Sequence, residues 1–161
     1  MVIMCYRKCR CTLITKQQCL QRMTDTDSRD VKTCAGVCVI SSKGILVNQA
    51  YQMYWGIPKG VVEDGENIVD CALRELKEET GIVIEPRDLS RYIFNFKYKN
   101  IKRQVFIFFA HVDDTSIEAD NLDPECTGYG FVFPRCLNEL FYSRQLKLNY
   151  FTRVLLNKFF V

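Results

Sequence analysis

From Cys34 onward the apolar residues fall into short runs of strand length. Cys34–Ile40 and Ile45–Val47 flank Ser41-Ser42-Lys43-Gly44, a turn-forming stretch, so the two runs read as a β-hairpin. Tyr92–Tyr98 and Val105–Val112 form a second pair, joined by Lys99-Asn100-Ile101-Lys102-Arg103, and Tyr129–Phe133 is one more short strand. Between the hairpins the period changes. Val69, Ala72, Leu73 and Leu76 stand at i, i+3, i+4 and i+7, a single buried stripe on a helix from about Asn67 to Thr80. Asn67 is a good N-cap, Asp70 suits the positive end of the helix, and Gly81 tolerates the left-handed geometry that ends it. Leu148, Phe151, Leu155 and Phe159 take up the helical spacing again and predict a C-terminal amphipathic helix over Gln145–Phe160. No internal repeat or low-complexity segment interrupts this pattern.

The first thirty residues differ. They are rich in Cys, Lys and Arg, then turn polar through Thr24-Asp25-Thr26-Asp27-Ser28, a loop or linker. The expected organisation is a basic, Cys-rich extension over residues 1–30 followed by one domain over 31–161. A chain of 161 residues is long enough for a core of ordinary size. Its apolar runs are too short to span a bilayer, and Arg7, Lys8, Arg10 and Lys16 break up any apolar leader, so no membrane contact and a cytoplasmic location are expected. Nine cysteines, an odd number without a leader, read as reduced thiols. Cys5, Cys9, Cys11 and Cys19 raise the question of zinc. They include no C-x-x-C pair, and His111, the only histidine, is far away in sequence, so the usual ligand spacing is absent. The net charge of +3 permits a polyanionic substrate without demanding nucleic acid.

The chemistry concentrates in Gly60–Ile82, GVVEDGENIVDCALRELKEETGI. Glu75 and Glu79 stand one helical turn apart and share a face, with Glu78 on the adjoining flank, offset from the apolar stripe. Like charges at that spacing cost a helix roughly a few tenths of a kcal/mol, which a hard divalent cation would offset. Arg74, one turn before Glu78, can pair with it and orient it. For an arbitrary helix the simpler reading is a solvated acidic face salted with Arg74 and Lys77. The flanking pattern overturns that reading. The stretch resembles the Nudix box, G-x5-E-x7-R-E-U-x-E-E-x-G-U with U a bulky aliphatic residue. Gly60, Glu66, Arg74, Glu75, Leu76, Glu78, Glu79, Gly81 and Ile82 fill every specified position.

The resemblance implies an α/β/α sandwich around a mixed sheet, with the box forming a loop–helix–loop. It implies hydrolysis of a nucleoside diphosphate linked to another group, with magnesium or manganese as cofactor. Carried across, Glu75, Glu78 and Glu79 hold the metal, the Gly60 carbonyl completes its shell, and Glu78 also deprotonates or orients the attacking water. Arg74 positions the acids, and Glu66 ties the loop to the helix.

Three further features bear on the substrate. Trp55-Gly56-Ile57-Pro58-Lys59-Gly60 resembles the W-x-x-P-K-G lead-in of diadenosine tetraphosphate hydrolases, mRNA decapping enzymes and diphosphoinositol polyphosphate phosphohydrolases, and there Lys59 meets a phosphate. Glu125-x3-Tyr129-x-Phe131 resembles the E-x3-Y-x-W segment of the dinucleoside tetraphosphate enzymes, with Phe131 in place of tryptophan. Glu125 is then a catalytic or metal-binding acid, and the aromatic residues bind a base. Lys97, Lys99, Lys102 and Arg103 cluster with Tyr98 at a hairpin tip, which suits a polyphosphate or RNA and equally an ordinary solvated turn. The expected substrate is a dinucleoside polyphosphate such as diadenosine tetraphosphate, with removal of the cap from messenger RNA as the alternative and diphosphoinositol hydrolysis as a third. A non-catalytic ligand-binding module of the same fold usually shows a broken box; this one is intact. No obligate protein partner is evident.

Overall fold

The computed structural model describes residues 2–4, 11–15, 32–50, 54–100, 102–113 and 126–160. Among the described residues ten strands form one mixed sheet: β1 (Val2–Met4), β2 (Thr12–Thr15), β3 (Lys32–Ser41), β4 (Gly44–Ala50), β5 (Tyr54–Gly56), β6 (Lys59–Val61), β7 (Ile93–Lys97), β8 (Arg103–His111), β9 (Gly128–Val132) and β10 (Lys147–Leu148). Three helices accompany them: α1 (Ile68–Thr80), α2 (Pro134–Tyr142) and α3 (Tyr150–Phe159). The main order is β1-β2-β9-β4-β3-β8-β7, with β5 attached to β4 and β6 to β3. The long β3–β8 pair is parallel, and its antiparallel neighbours make the sheet mixed. The N-terminal strands β1 and β2 continue this same sheet, with Ile14 opposite Tyr129 of β9.

The sheet is packed on both faces. On one, Ala35, Val37 and Val39 of β3, Leu46 of β4 and Phe108 of β8 pack with Cys71, Ala72 and Leu76 of α1. On the other, Cys34 and Cys38, Ile45 and Val47, and Val105 and Ile107 pack with Leu137 and Leu140 of α2 and Phe151 and Leu155 of α3. A strand covered on both faces needs apolar residues at odd and even positions alike, which explains the unbroken run in β3. The architecture is therefore an α/β/α sandwich.

α1 follows its sequence pattern closely. The Asn67 side chain accepts a hydrogen bond from the Asp70 amide, and Gly81 ends the helix at φ 73° with its N–H on the Lys77 carbonyl. The C-terminal expectation needs correction. Lys147 and Leu148 pair in parallel with Tyr54 and Trp55, so these residues are strand, and helix α3 begins only at Tyr150. Asn149 sets that start: its Oδ1 accepts from the Thr152 amide, while its own N–H goes to the Trp55 carbonyl. Helix α2 has no counterpart among the sequence expectations, although Pro134 in its first turn is a helix-start signal.

One departure from regular pairing creates the site. β3 and β4 are hydrogen-bonded only beside their turn, at Ile40–Ile45 and Ser41–Gly44. Farther along they part, and each takes a new partner: Asn48 of β4 lies opposite Gly56, and Gly36 of β3 opposite Lys59. The segment from Trp55 to Gly60 fills the gap. It is secured toward α3 by Trp55, which is fully buried, and by the Ile57 amide donating to Thr152 Oγ1. α1 lies over the other side of this gap.

Candidate active site

Strand register decides which way the gap residues face. Gly60 lies opposite Ala35 and so faces α1, while Lys59 lies opposite Gly36 and turns its side chain toward α3. A β-carbon at Gly60 would fall on the Glu75 carboxyl group, so glycine lets the helix acid lie directly on the strand. The Gly60 carbonyl accepts a weak hydrogen bond from Cys71 Sγ at 3.6 Å, which keeps that oxygen on the same side.

Arg74 joins the acids. Its Nε and Nη2 grip the two oxygens of Glu66 at 2.8 and 3.0 Å. Its Nη1 reaches Glu75 Oε1 at 2.9 Å and Glu78 Oε2 at 3.2 Å, and Nη2 also donates to the Val61 carbonyl. Glu66 further accepts from the Glu63 amide. Hydrogen bonds from Arg74, then from that amide, hold the Glu66 carboxyl down at about 2. Burial pushes Glu75 upward, and Arg74 opposes the shift. Glu79 stands apart from this knot. Its Oε2 accepts from the Lys59 backbone N–H at 3.0 Å, and burial pushes its carboxyl up to about 8, opposed by the charge of Lys59 and reinforced by that of Glu75. Glu78 is the most open of the three helix acids, with half its side chain exposed.

Among the described residues, no three acidic, histidine or cysteine side chains already converge on one point. Arg74 draws Glu75 and Glu78 together while Glu79 is turned to the strand. The donors still fit a hard cation. Glu75, Glu78 and Glu79 each present a second carboxylate oxygen besides the one bonded to Arg74 or Lys59, and the Glu75 carboxyl lies against Gly60, whose carbonyl accepts from Cys71 of α1. Two acids whose protonated forms are favoured by burial and by neighbouring carboxylates are also what an added positive charge would stabilise as anions.

The other expected site residues are distributed unevenly. Tyr129 lies opposite Asn48, and Phe131 opposite Leu46, so both half-buried rings project on the α1 face beside the gap. The Lys59 ammonium lies over the Phe151 ring, 5.2 Å from its centroid, on the α3 side. Lys99 and Lys102 are exposed at the β7–β8 tip, with β8 and β3 between edge strand β7 and the gap. Tyr98 is no free platform: its ring packs edge-on against Phe96 and near Tyr150. Glu125 lies outside the described residues. Cys71, buried beside the acids, has its thiol pushed up to about 12 chiefly by burial, which makes it packing rather than a nucleophile. Sequence reasoning missed Asn48, a buried polar residue between β5 and β9. Its only signal was a polar residue after the apolar run of β4, and solvent-facing strand ends look the same.

An acid-bearing helix laid over a split mixed sheet, with an arginine knotting its carboxylates to the preceding loop, defines a class of hydrolases. The NUDIX domain family matches residues 31–148, and the chain belongs to that family of pyrophosphohydrolases. It is 34% identical over 142 residues to a putative hydrolase, 111R, of Invertebrate iridescent virus 3, covering 86% of this chain and 80% of that protein. It is 27% identical to an RNA pyrophosphohydrolase of Novosphingobium aromaticivorans, covering 68% of this chain and 81% of the relative. Among solved structures, a C. elegans Ap4A hydrolase binary complex shares the fold with a TM-score of 0.60 and 22% identity, covering 78% of this chain and 94% of that one. A MutT protein from Methanosarcina mazei Go1 does so with a TM-score of 0.59 and 22% identity, covering 80% and 91%.

Proposed function

We propose that this enzyme hydrolyses the pyrophosphate linkage of a dinucleoside polyphosphate, such as diadenosine tetraphosphate, with magnesium or manganese. The observation that carries the reading is the sharing of one sheet face: the acids of α1 overlie the gap, and Tyr129 and Phe131 line its border on β9. Acids for a cation and rings for a base thus stand on the same side of the sheet.

In this reading Glu75, Glu78, Glu79 and the Gly60 carbonyl hold the metal. The cation, when bound, neutralises phosphate oxygens and acidifies a water molecule. Arg74 keeps Glu75 and Glu78 in register, and Glu66 holds Arg74 from behind by its paired hydrogen bonds. Glu78, the most open acid, takes the proton of the attacking water or orients it. Tyr129 and Phe131 stack on a base, and Glu125, three residues before β9 in sequence, assists. Lys59 meets a phosphate after its ammonium leaves the Phe151 ring.

A second reading, action on the 5′ end of RNA including cap removal, draws on the exposed Lys97, Lys99 and Lys102 and on relatives named as RNA pyrophosphohydrolases. Among the described residues no helix is long and apolar enough to cross a membrane, and the proposed location is the cytoplasm. The test is hydrolysis by purified protein of diadenosine tetraphosphate, a short capped RNA and free cap analogue, each with magnesium or manganese, with Glu78→Gln as control. Preference for the dinucleotide supports the proposal. Preference for capped RNA over free cap analogue, lost on Lys99→Ala with Lys102→Ala, replaces it with the RNA reading.

A further inference from the structure

On the α1 side of the gap stands Asn48, a polar side chain that belongs neither to the box nor to the segment leading into it. Asn48 is 4% exposed, and its amide nitrogen is enclosed without a hydrogen-bond partner. Alternation along β4 places Ile45 and Val47 in the core under α2 and α3, and Leu46 in the core under α1. Asn48 therefore points with Leu46 toward α1, on the same side as Tyr129 across the β4–β9 ladder. That is the side from which Glu79 reaches down into the gap to the Lys59 amide.

Glu79 has one fixed anchor, the Lys59 amide on Oε2. A single donor leaves the carboxylate free to turn about its last bond, whereas magnesium and manganese sites need ligand oxygens held in narrow geometry. The unused N–H of Asn48 is buried on the α1 side of the same gap and is free to act as a second anchor. A side-chain amide is chemically suited to that place. It donates without carrying a charge, so it neither competes with a cation, as lysine would, nor repels the carboxylate, as aspartate would.

We propose that Asn48 is a positioning residue whose Nδ2 donates to the ionised Glu79 carboxylate, so that Asn48 and the Lys59 amide hold it from two sides and aim its remaining lone pairs at a divalent cation. The inference rests on the reading of Glu79 as a metal ligand. Asn48 touches no substrate atom in this scheme; it acts through Glu79. Loss of such an outer partner typically costs about 10–100-fold in metal affinity or activity.

The experiment measures Mn2+ binding to the full chain without substrate, from the electron paramagnetic resonance signal of the free ion. It compares wild type, Asn48→Asp, Asn48→Ala and Glu79→Gln. Asp keeps the shape and removes the donor, while Ala removes the donor without adding charge; circular dichroism confirms that each variant is folded at the temperature used. The expected result is a loss of roughly 10-fold or more in Mn2+ affinity for both Asn48 variants. Turnover of the preferred substrate should then recover at saturating Mn2+, with KM for substrate unchanged. Mn2+ affinity within twofold of wild type in a folded Asn48→Ala, beside a clear loss in Glu79→Gln, overturns the role of Asn48 alone. A raised KM with unchanged Mn2+ affinity also overturns it, by making Asn48 a substrate contact. Undiminished Mn2+ binding in Glu79→Gln overturns the underlying assignment of Glu79.

Discussion

Alanine at Gly60 should separate the geometry of the acid cluster from the stability of the fold. The new β-carbon would occupy the position of the Glu75 carboxyl group. Gly60 is not among the glycines with positive φ, so its backbone gains no strain. The obstructing group is the end of a flexible side chain, which can swing aside. The swing costs its hydrogen bond to Arg74, and a partly exposed pair of that kind is worth about 0.2–1 kcal/mol. The stability loss should therefore be about 1 kcal/mol or less. The functional loss should be far larger, because Glu75 can no longer lie beside the Gly60 carbonyl: at least about 100-fold in kcat/KM, equivalent to about 2.7 kcal/mol. Gly36 provides the contrast. A β-carbon there meets the Pro58 carbonyl oxygen and the Lys59 Cβ, neither of which moves without the strand, so Gly36→Ala should destabilise by about 1–3 kcal/mol. Urea denaturation and steady-state hydrolysis of both variants make the comparison. Near-normal activity in Gly60→Ala, or a stability loss equal to that of Gly36→Ala, would show that the place of Glu75 against Gly60 does not matter for catalysis.

The titration of Glu79 gives a pH dependence in metal-free protein. Its folded carboxyl stands near 8 against an ordinary 4.5, so between these values the folded state keeps a proton that the unfolded state has released. Its contribution is full below about pH 4.5 and lost as pH rises through 8; Tm in a chelator should fall from pH 5.5 to 8 and rise again on adding Mn2+ at pH 8, and a Tm that climbs over that interval without metal contradicts the assignment. Glu66 works in the opposite sense, contributing above about pH 4.5 and losing that contribution as pH falls toward 2, so acid should loosen the loop before α1, measurable by hydrogen exchange at Glu63–Glu66. Arg74→Lys should lower kcat about 10–100-fold with the fold intact, since an ammonium cannot grip both Glu66 oxygens while reaching Glu75 and Glu78; steady-state kinetics and Tm together check this. Tyr129→Ala should raise KM for a nucleotide substrate by about tenfold with a smaller change in kcat, as expected from the roughly 1–3 kcal/mol of base–aromatic stacking.

The parts of the molecule that were readable in sequence are those set by local chemistry. Asn67, the stripe through Ala72 and Leu76, and Gly81 each act within a few residues, and α1 has the expected bounds. The knot around Arg74 was also readable in outline, because Glu75 and Glu78 are its neighbours on one helix and Glu66 lies in the same box. What escaped depends on contacts distant in sequence. Lys147 and Leu148 carry a helical spacing but become strand because Tyr54 and Trp55 offer an edge to pair with. The resemblance places Lys59 at a phosphate, but nothing local in sequence shows that its ammonium rests over Phe151, a contact set by strand register. Tyr98, grouped in sequence with the basic tip, is claimed by Phe96 and Tyr150. Asn48 acquires its position only because β3 and β4 separate, and no local pattern announces that split.

Whether the acidic face of α1 is a metal-dependent hydrolytic site is decided by Glu79→Gln. Gln matches Glu in size and keeps an oxygen for the Lys59 amide, so the fold should hold. Hydrolysis of diadenosine tetraphosphate, or of capped RNA should that be preferred, is measured for wild type and variant across a magnesium titration, with Tm recorded alongside. The expected result is loss of most turnover at every magnesium concentration with Tm preserved. Turnover near the wild-type level in a folded Glu79→Gln would contradict it.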